Sequence, residues 1–382
     1  MNDSMNALGN TKKMKGISPL ISAVIVMALT VVTMGIVFTT IVPTIQRAQE
    51  AAVVNEATQN MRLFDDLVRQ TASEATGSLR STNVKVNDGS YVVRNGTGLE
   101  FIFDANYNPI PSRAVISDGA VKISTGMSAL GLVGYWRFDE GGGNFVNDSS
   151  GYGRDGNITN ATAVTWTSGK YGNGLNFDGT DNAWVNFTPA VVNGLTDFTL
   201  AFWIRTSISN TLIHGTNTGN NELRIRTSSG DDTVYIKGSS WGSQINLRDG
   251  NLKHVIVTRD GNSGLVQLYT DGLLRNSSVL PTGALTINCF GFGQDQDTIC
   301  GGFDSNESYN GLLDEAHIYK RILNQSEIVD DFNMPPSKLK ISLDYDNIIL
   351  TGLTRFGKGA SKICFEKTGI QGTKAVVNIR VC

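Results

Sequence analysis

Histidine, cysteine and proline are scarce in this chain, which has 3, 4 and 8 of them among 382 residues. It contains no H-E-x-x-H pair, no C-x-x-C pair and no G-x-x-x-x-G-K-[ST] loop, so no motif indicates a zinc protease, a cysteine-rich zinc site or a nucleotide-binding P-loop. The three histidines, His214, His254 and His317, lie scattered among strand-like segments without a catalytic Ser or Cys context. They are predicted to be structural or surface residues.

Blocks of one charge are also missing. The 32 Lys and Arg residues nearly balance the 35 Asp and Glu residues, which gives a formal net charge of −3, so nucleic acid is not expected as a partner. One long stretch, residues 17–43, has no charge at all. As a helix rising about 1.5 Å per residue it would be ~40 Å long, enough to cross a hydrocarbon core of ~30 Å.

A short basic leader precedes the uncharged stretch and contains Lys12, Lys13 and Lys15 before Gly16. Lysines on the short side of a span stay in the cytoplasm, which places the bulk of the chain outside the cell. A secretory signal peptide would have a shorter apolar region, of about 7–15 residues, and a small-residue cleavage site. A permanent signal anchor stays open as an alternative.

The junction resembles the class III signal peptide of archaeal type IV pilin and archaellin precursors, in which a basic leader ends in Lys-Gly or Arg-Ala before an apolar helix. The matching residues are Lys15 and Gly16, followed by Ile17 and the sequence SPLI. The resemblance implies cleavage by a prepilin peptidase after Gly16, or alternatively after Lys15. Bacterial type IV pilins carry Glu at the fifth mature position, where this chain has Ile21, so the resemblance is to the archaeal branch.

The helical pattern continues beyond the apolar stretch. Between residues 46 and 75, apolar side chains recur at helical spacing and charged residues fill the other face. The two halves predict one helix over residues 17–76, roughly 90 Å long, with a kink or a lost hydrogen bond at Pro43. In the pilins that it resembles, the apolar half packs in the filament core and the amphipathic half packs on the subunit's own β domain. The implied partners of residues 17–76 are copies of this chain or other pilins, and membrane lipid before assembly.

The remainder of the chain predicts a β-rich exterior. Glycine is frequent, with 42 residues, and short alternating segments are separated by Asn-Gly and Asp-Gly turns. All four cysteines follow the apolar stretch and therefore lie on the oxidising side of the membrane. The local disulfides Cys289–Cys300 and Cys364–Cys382 are predicted, although four cysteines allow three connectivities.

Residues 131–334 resemble the laminin G-like, concanavalin A-like jelly-roll family. The matching segments are GYWRFDEG at 134–141, DSSG at 148–151, GLNFDG at 174–179 and LDEAHIY at 313–319. The alternation of FTLAFWIR at 198–205 agrees with a two-sheet β sandwich. The resemblance implies a lectin-like adhesion module that binds surface glycans, closed by a short helix that begins at Asn324 or Ser326.

This resemblance also implies candidate site residues. Relatives often hold structural calcium with oxygens from the first and last strands, where Asp139 and Asp314 lie; the alternative is that these carboxylates only cap turns or bind backbone N–H groups. Trp241 and then Trp166 are the candidate glycan-binding aromatics, and each could equally be a packing residue. No enzyme is predicted, because the E-x-D-x-E cluster of jelly-roll glucanases is missing and adjacent acids such as Asp314 and Glu315 would point to opposite faces of a strand.

The flanks of the jelly roll, residues 77–130 and 335–382, are hairpin-rich and resemble the small β head of archaeal pilins. The predicted organisation is a leader at 1–16, a helix at 17–76, a head formed by both flanks, and a jelly roll inserted between them at 131–334. The predicted fold class is therefore α+β, with a long hydrophobic helix and a mainly β exterior.

Eight N-x-[ST] sequons mark asparagines that could be glycosylated in an exported protein. They are Asn95, Asn147, Asn157, Asn160, Asn186, Asn276, Asn306 and Asn324.

Together these features predict a structural subunit of an archaeal type IV pilus-like filament that carries a lectin-like adhesion module. The precursor would lie in the membrane with its N-terminus inside the cell, and the assembled protein would be extracellular. Two alternatives stay open. One is a membrane-anchored carbohydrate-binding protein that never polymerises, and the other is a minor or tip pilin.

Overall fold

The first element of the protein is a long helix with an interruption in its middle. The structure is a computed structural model that describes residues 19–107, 110–217, 220–227, 232–304, 307–335, 337–353 and 355–382. The helix comprises α1 (Pro19–Ile36), a π-helical turn (Val37–Ile41) and α2 (Val42–Ser73). The π turn ends directly before the segment containing Pro43, which cannot donate a backbone hydrogen bond. The helix ends three residues before its predicted end, because Glu74 has an extended backbone.

The N-terminal half of this helix is apolar and uncovered. Leu20–Ser73 is the one helix in the described part of the chain that is long and apolar enough to cross a membrane, and its most apolar 18-residue window has a mean hydropathy of 2.6 with none of it buried. Four of its threonines each donate to the carbonyl four residues earlier, namely Thr30, Thr33, Thr39 and Thr44. This half therefore needs an apolar environment from outside its own chain.

The C-terminal half of the helix buries one stripe of side chains against a β sheet. Phe64 is fully buried, and its ring centroid lies 5.3 Å from that of Tyr91 on the sheet. Glu50 holds the loop that follows the second strand, since its carboxylate accepts the N–H groups of Asn106 at 2.9 Å and Tyr107 at 2.7 Å. The stripe comprises Glu50, Val54, Ala57, Thr58, Met61, Phe64, Val68 and Thr71.

This sheet draws its eight strands from two separate parts of the chain. The strands are β1 (Leu79–Arg94), β2 (Gly98–Asp104), β3 (Val115–Asp118), β4 (Val121–Thr125), β21 (Lys338–Asp344), β22 (Ile348–Gly352), β23 (Arg355–Gln371) and β24 (Lys374–Val381). Their order across the sheet is β22-β24-β23-β1-β2-β21-β4-β3. We call this sheet, together with α2, the head.

The intervening chain forms the remaining strands in the described ranges. They are β5 (Leu132–Trp136), β6 (Phe145–Val146), β7 (Gly156–Thr159), β8 (Val164–Ser168), β9 (Asn173–Asp178), β10 (Trp184–Phe187), β11 (Phe198–Arg205), β12 (Asn210–Asn217), β13 (Asn220–Thr227), β14 (Thr233–Ile236), β15 (Ser239–Gly242), β16 (Lys253–Arg259), β17 (Leu265–Thr270), β18 (Leu273–Val279), β19 (Cys289–Phe292) and β20 (Asn310–Tyr319). A 3₁₀ turn (Pro189–Val191) lies between β10 and β11.

These strands form two sheets that enclose one apolar core. One sheet has the order β15-β14-β13-β12-β19-β10-β7-β6; the other has the order β18-β17-β16-β11-β20-β9-β8, and β5 also pairs with β20. Alternate inward side chains such as Phe177, Phe202 and Phe292 fill the core between the sheets. We call this unit the sandwich. The predicted α+β class, a long apolar helix with a mainly β exterior, is confirmed.

A short helix leads from the sandwich back into the head. This helix, α3 (Gln325–Asn333), begins with a capping box in which Asn324 accepts the N–H of Glu327 and the Glu327 side chain accepts the N–H of Asn324. The chain leaves the head after β4 and returns in β21, and these two strands pair with each other. The entry and exit are close together, because the N–H of Gly126 donates to the carbonyl of Lys338 at 2.8 Å.

Candidate functional site

One loop joins the two acids that the sequence predicted as calcium ligands. Asp314 is fully buried in β20, and its Oδ2 accepts the backbone N–H groups of Lys170 at 2.6 Å and Tyr171 at 3.2 Å. Asp139 follows β5, and its Oδ1 accepts the N–H of Asn173 at 3.2 Å. The loop at 169–173 therefore anchors both carboxylates through its main chain.

A third carboxylate joins them because strand β20 contains a bulge. The pairing of β20 with β11 shifts register beside Glu315, which has a left-handed backbone with a φ of 50°. The strict alternation expected for Asp314 and Glu315 is interrupted there, because a bulge re-aims the side chain that it carries. Glu315 is fully buried and accepts hydrogen bonds from the Tyr135 hydroxyl and the Arg113 guanidinium. We call Asp139, Asp314 and Glu315 the closed cluster.

Burial shifts the pKa values of Asp314 and Glu315 in the closed cluster. Burial, and then the negative charge of Glu315, raise the pKa of Asp314 to about 8. Burial also raises the pKa of Glu315, although Arg113 opposes this. For Arg113, burial lowers the pKa, but Glu315, Tyr135 and Asp139 outweigh it and the net shift is upward. The Arg113 guanidinium therefore stays positively charged beside Glu315 and Asp139.

The surroundings of Asp139 and Asp314 do not fit a calcium ion. Calcium takes 6–8 oxygen ligands, whereas the groups that contact these two carboxylates are N–H donors and cations. Asp139 accepts from Arg137 at 2.6 Å and from Arg113 at 3.3 Å, in addition to the N–H of Asn173. This arrangement matches the alternative in which the carboxylates bind backbone N–H groups. Whether the protein binds calcium elsewhere stays a prediction.

A second group of acids also offers oxygen ligands, and not all of its carboxylate oxygens are occupied by N–H donors or cations. One carboxylate oxygen from each of Asp297, Asp304 and Glu307 lies within 4.8 Å of the other two. Asp297 and Asp304 are exposed, and Glu307 is partly buried with its Oε2 unpartnered among the described residues. Burial raises the pKa of Glu307, partly opposed by Arg224. We call these three residues the open cluster.

The open cluster was missed by the sequence reasoning. A signal was present in GQDQDTICGGFDSNE at 293–307, where two acids precede Cys300 and two follow it. The neighbouring Asp295 forms a buried ion pair with Arg224, whose guanidinium lies 4.0 Å from the ring centre of Tyr235. Because that pair is satisfied, it supports the loop rather than offering a further free oxygen.

Both predicted disulfides are present. The Cα atoms of Cys289 and Cys300 are 5.5 Å apart, and those of Cys364 and Cys382 are 5.9 Å apart. The first bridge joins β19 to the loop that carries Asp297. The second fastens the end of β24 to β23.

The two tryptophans predicted as glycan contacts are both partly buried. Trp166 packs against the sandwich core, and its indole N–H donates to the carbonyl of Gly143 at 3.1 Å. Trp241 lies on the edge strand β15 and also packs against this core. The structure does not bring either residue into a described contact with the closed or open cluster, so their glycan role stays a prediction.

The histidines are all interior residues. His214, His254 and His317 are fully buried, so none occupies the surface position allowed by the sequence analysis. His317 lies 2.8 Å from a carboxylate oxygen of Asp331 in α3. This contact fastens the short helix to β20.

The predicted processing residues Lys12, Lys13, Lys15, Gly16 and Ile17 lie outside the described residues, as does the sequon residue Asn306. The other sequon asparagines are at least partly accessible. Those exposed are Asn95, Asn147, Asn157 and Asn324, and those half-buried are Asn160, Asn186 and Asn276. Their glycosylation stays a prediction.

Comparison with known families gives the class of the sandwich. Residues 178–329 match the family described as the concanavalin A-like lectin/glucanases superfamily. The sandwich is therefore a concanavalin A-like domain, carried on a chain with an apolar helix. Residues 15–108 match a family of unknown function, DUF7289, which spans that helix and the first two head strands.

Similar solved structures include binding modules. The binding domain of Paraclostridial Mosquitocidal Protein 1 has 19% identity and a TM-score of 0.43, and the match covers 53% of this chain and 52% of that chain. Domain 4 of AbnA, a GH43 extracellular arabinanase from Geobacillus stearothermophilus in complex with arabinotriose, has 20% identity and a TM-score of 0.42, with 52% and 97% covered. The chain thus spans about half of the first structure. At these scores the likenesses carry no functional conclusion. No curated protein matches the chain.

Proposed function

We propose that this chain is a structural subunit of an archaeal type IV pilus-like surface filament and carries the sandwich as a lectin-like adhesion module. The observation that supports this most directly is the divided character of its single long helix. The N-terminal half exposes apolar side chains along its length, while the C-terminal half is covered by the head of the same chain.

A filament gives both halves an environment that suits them. Before assembly, lipid would surround the apolar half; afterwards, the same half would pack against other copies, where close packing replaces contacts with acyl chains. The C-terminal half keeps its own cover throughout. The family match over residues 15–108 supports treating the helix and the first head strands as one unit, because a single family spans both.

The test is the mature N-terminus of the protein recovered from cells. Mass spectrometry is expected to find a chain that starts at Ile17, and electron microscopy is expected to find it in filaments. Gly16→Val should block processing and assembly. Gly142→Ala is the control outside the helix, since it lies in the sandwich and a methyl group there meets nothing within 4 Å.

An intact Met1 start together with an absence of filaments would favour the membrane-anchored, non-polymerising protein. If Ile17 starts the chain but immunogold labels only filament ends, the minor or tip pilin is the correct role. Uniform labelling along the shaft supports the structural subunit.

For the sandwich we propose glycan binding assisted by calcium at the open cluster. The carboxylates of Asp297, Asp304 and Glu307 supply oxygen ligands of the type that calcium prefers, and two of them are exposed. A bound ion would hold this loop in place, and sugar hydroxyl oxygens could coordinate it. We propose no catalytic role.

Calorimetry of the full chain in detergent tests the ion. Asp297→Asn is expected to abolish calcium binding, and Asp139→Asn is the matched control that leaves it intact. A glycan array with and without calcium then tests the ligand. Equal calcium affinity in Asp297→Asn would contradict this assignment.

A further inference from the structure

We infer that Arg113 of the head is the built-in counter-cation of the closed cluster, and that it fixes the sandwich to the head where the sequence suggested a metal ion. Arg113 lies between β2 and β3, and its partner Glu315 is 202 residues further along the chain. The inference concerns one chain by itself and holds whether or not the protein polymerises.

The guanidinium of Arg113 is held on several sides. One terminal nitrogen donates to Glu315, and the other donates to Oδ2 of Asp139 at 3.3 Å. The Arg113 guanidinium also lies 5.0 Å from the ring centre of Tyr171, in the loop that binds Asp139 and Asp314 through its main chain. Only 14% of the Arg113 side chain is exposed. This is a formed binding site rather than a surface ion pair.

The backbone on both sides of the contact is strained. Arg113 has a φ of 60° and Glu315 a φ of 50°, values that residues other than glycine adopt infrequently. Such conformations persist where the surrounding contacts determine them. The bulge at Glu315 and the turn at Arg113 therefore serve the same contact from the two units.

The closed cluster requires a positive charge next to Glu315. Glu315 has no exposed side-chain surface, and the hydroxyl of Tyr135 supplies one hydrogen bond but no charge. Arg137 donates to Asp139 but is not among the residues that contact Glu315 in the described structure. Without Arg113, Glu315 would be a buried carboxylate with no contacting cation, which is strongly unfavourable.

Other ion pairs cross between the head and the sandwich with its terminal helix. Asp330 of α3 accepts from Lys338 at 2.7 Å and Lys340 at 3.0 Å, and Lys320 lies 3.0 Å from Asp344. These pairs are close to the point where the chain returns to the head. Arg113 joins segments far apart in sequence, as does Arg94, which lies 3.5 Å from Glu327 of α3, so both add constraints that chain connectivity does not provide.

A double-mutant cycle tests the counter-cation role in the full chain in detergent. Arg113→Met is expected to lower the unfolding temperature of the sandwich by about 10 °C, because it leaves Glu315 uncompensated. Arg113→Met with Glu315→Gln should recover at least half of that loss. Arg62→Met is the matched control: Arg62 is an exposed arginine paired with Asp118 of the head, and its loss should shift the unfolding temperature by less than about 2 °C.

A double variant no more stable than Arg113→Met would show that only packing was lost and would overturn the counter-cation role.

Discussion

The closed and open clusters contain three carboxylates each, yet the closed cluster has positive charge at closer range. In the closed cluster, backbone N–H groups and two arginines face the acids, and Asp314 and Glu315 are fully buried. In the open cluster, Asp297 and Asp304 are exposed, and Glu307 keeps one unpartnered oxygen. The number of acids therefore does not identify a cation site. The two clusters differ in how closely the protein supplies positive charge, since Arg113 contacts Glu315 whereas Arg224 lies 3.9 Å from Glu307.

The largest expected effect is a loss of folding stability from the closed cluster as pH rises. The pKa of Asp314 is raised to about 8 in the folded protein, so between the unfolded pKa and about 8 the folded state binds a proton that the unfolded state has released. The stability that protonated Asp314 contributes is therefore lost as pH rises from about 4 to 8, by on the order of 5 kcal/mol. Asp314→Asn should lessen this loss, measured by urea unfolding across that range. Parallel pH profiles for the two proteins would contradict it.

The opposite slope is expected beneath the open cluster. His214 lies next to Trp184, which in turn contacts Phe303 in the loop of the open cluster. Burial lowers the pKa of His214 to about 3, so the unfolded state binds a proton first as pH falls. The contribution of His214 to stability should fall from pH 6.5 towards 3 by on the order of 4 kcal/mol, and it opposes that of Asp314 where the two ranges overlap. His214→Gln should flatten this acid limb in urea unfolding, and an unchanged limb would show that another group controls it.

The disulfide beside the open cluster should have the next largest effect. Replacing Cys289 and Cys300 with Ala removes a bridge across 11 residues. The loop-entropy relation gives a stabilisation of about 3 kcal/mol for such a bridge. We expect calcium affinity to fall as well, because the loop carrying Asp297 loses its tie to β19. Replacing Cys364 and Cys382 is the control, and it should leave calcium affinity unchanged in calorimetry.

The smallest expected effect on stability is that of Asp297→Asn without calcium. Its side chain is exposed, so the free energy of unfolding should change by less than about 0.5 kcal/mol. In calcium, the same variant should lack the stabilisation that the wild type gains. A large loss without calcium would mean that Asp297 has a structural role like that of the closed cluster.

The sequence predicted features that depend on local periodicity and spacing. The uncharged stretch and the amphipathic pattern after it predicted the long helix, and alternation at 198–205 predicted a sandwich strand that the structure contains as β11. Both disulfides followed from the spacing of the cysteines. These features depend on neighbours in sequence, which is why they can be predicted from one chain.

The arrangement of the clusters could not be predicted in the same way. Alternation alone places Asp314 and Glu315 on opposite faces, and only the bulge changes that. The partner of Glu315 lies 202 residues away in another unit, at a position with no motif. For the open cluster, the three acids were visible in the sequence, but their proximity depends on how the loop after β19 folds back.

The neighbouring entry and exit of the sandwich have a mechanical consequence. A pull on the sandwich would reach the head through the same end of the β4–β21 pair, where Thr125 faces Leu339. Because both strands would be pulled the same way, the load would act on their pairing with the rest of the sheet, β21 with β2 and β4 with β3. The contact of Arg113 with Glu315 offers a second path for the load, away from those strands. The sandwich is thereby joined to the head by two adjacent strands and by one side-chain contact between residues far apart in sequence.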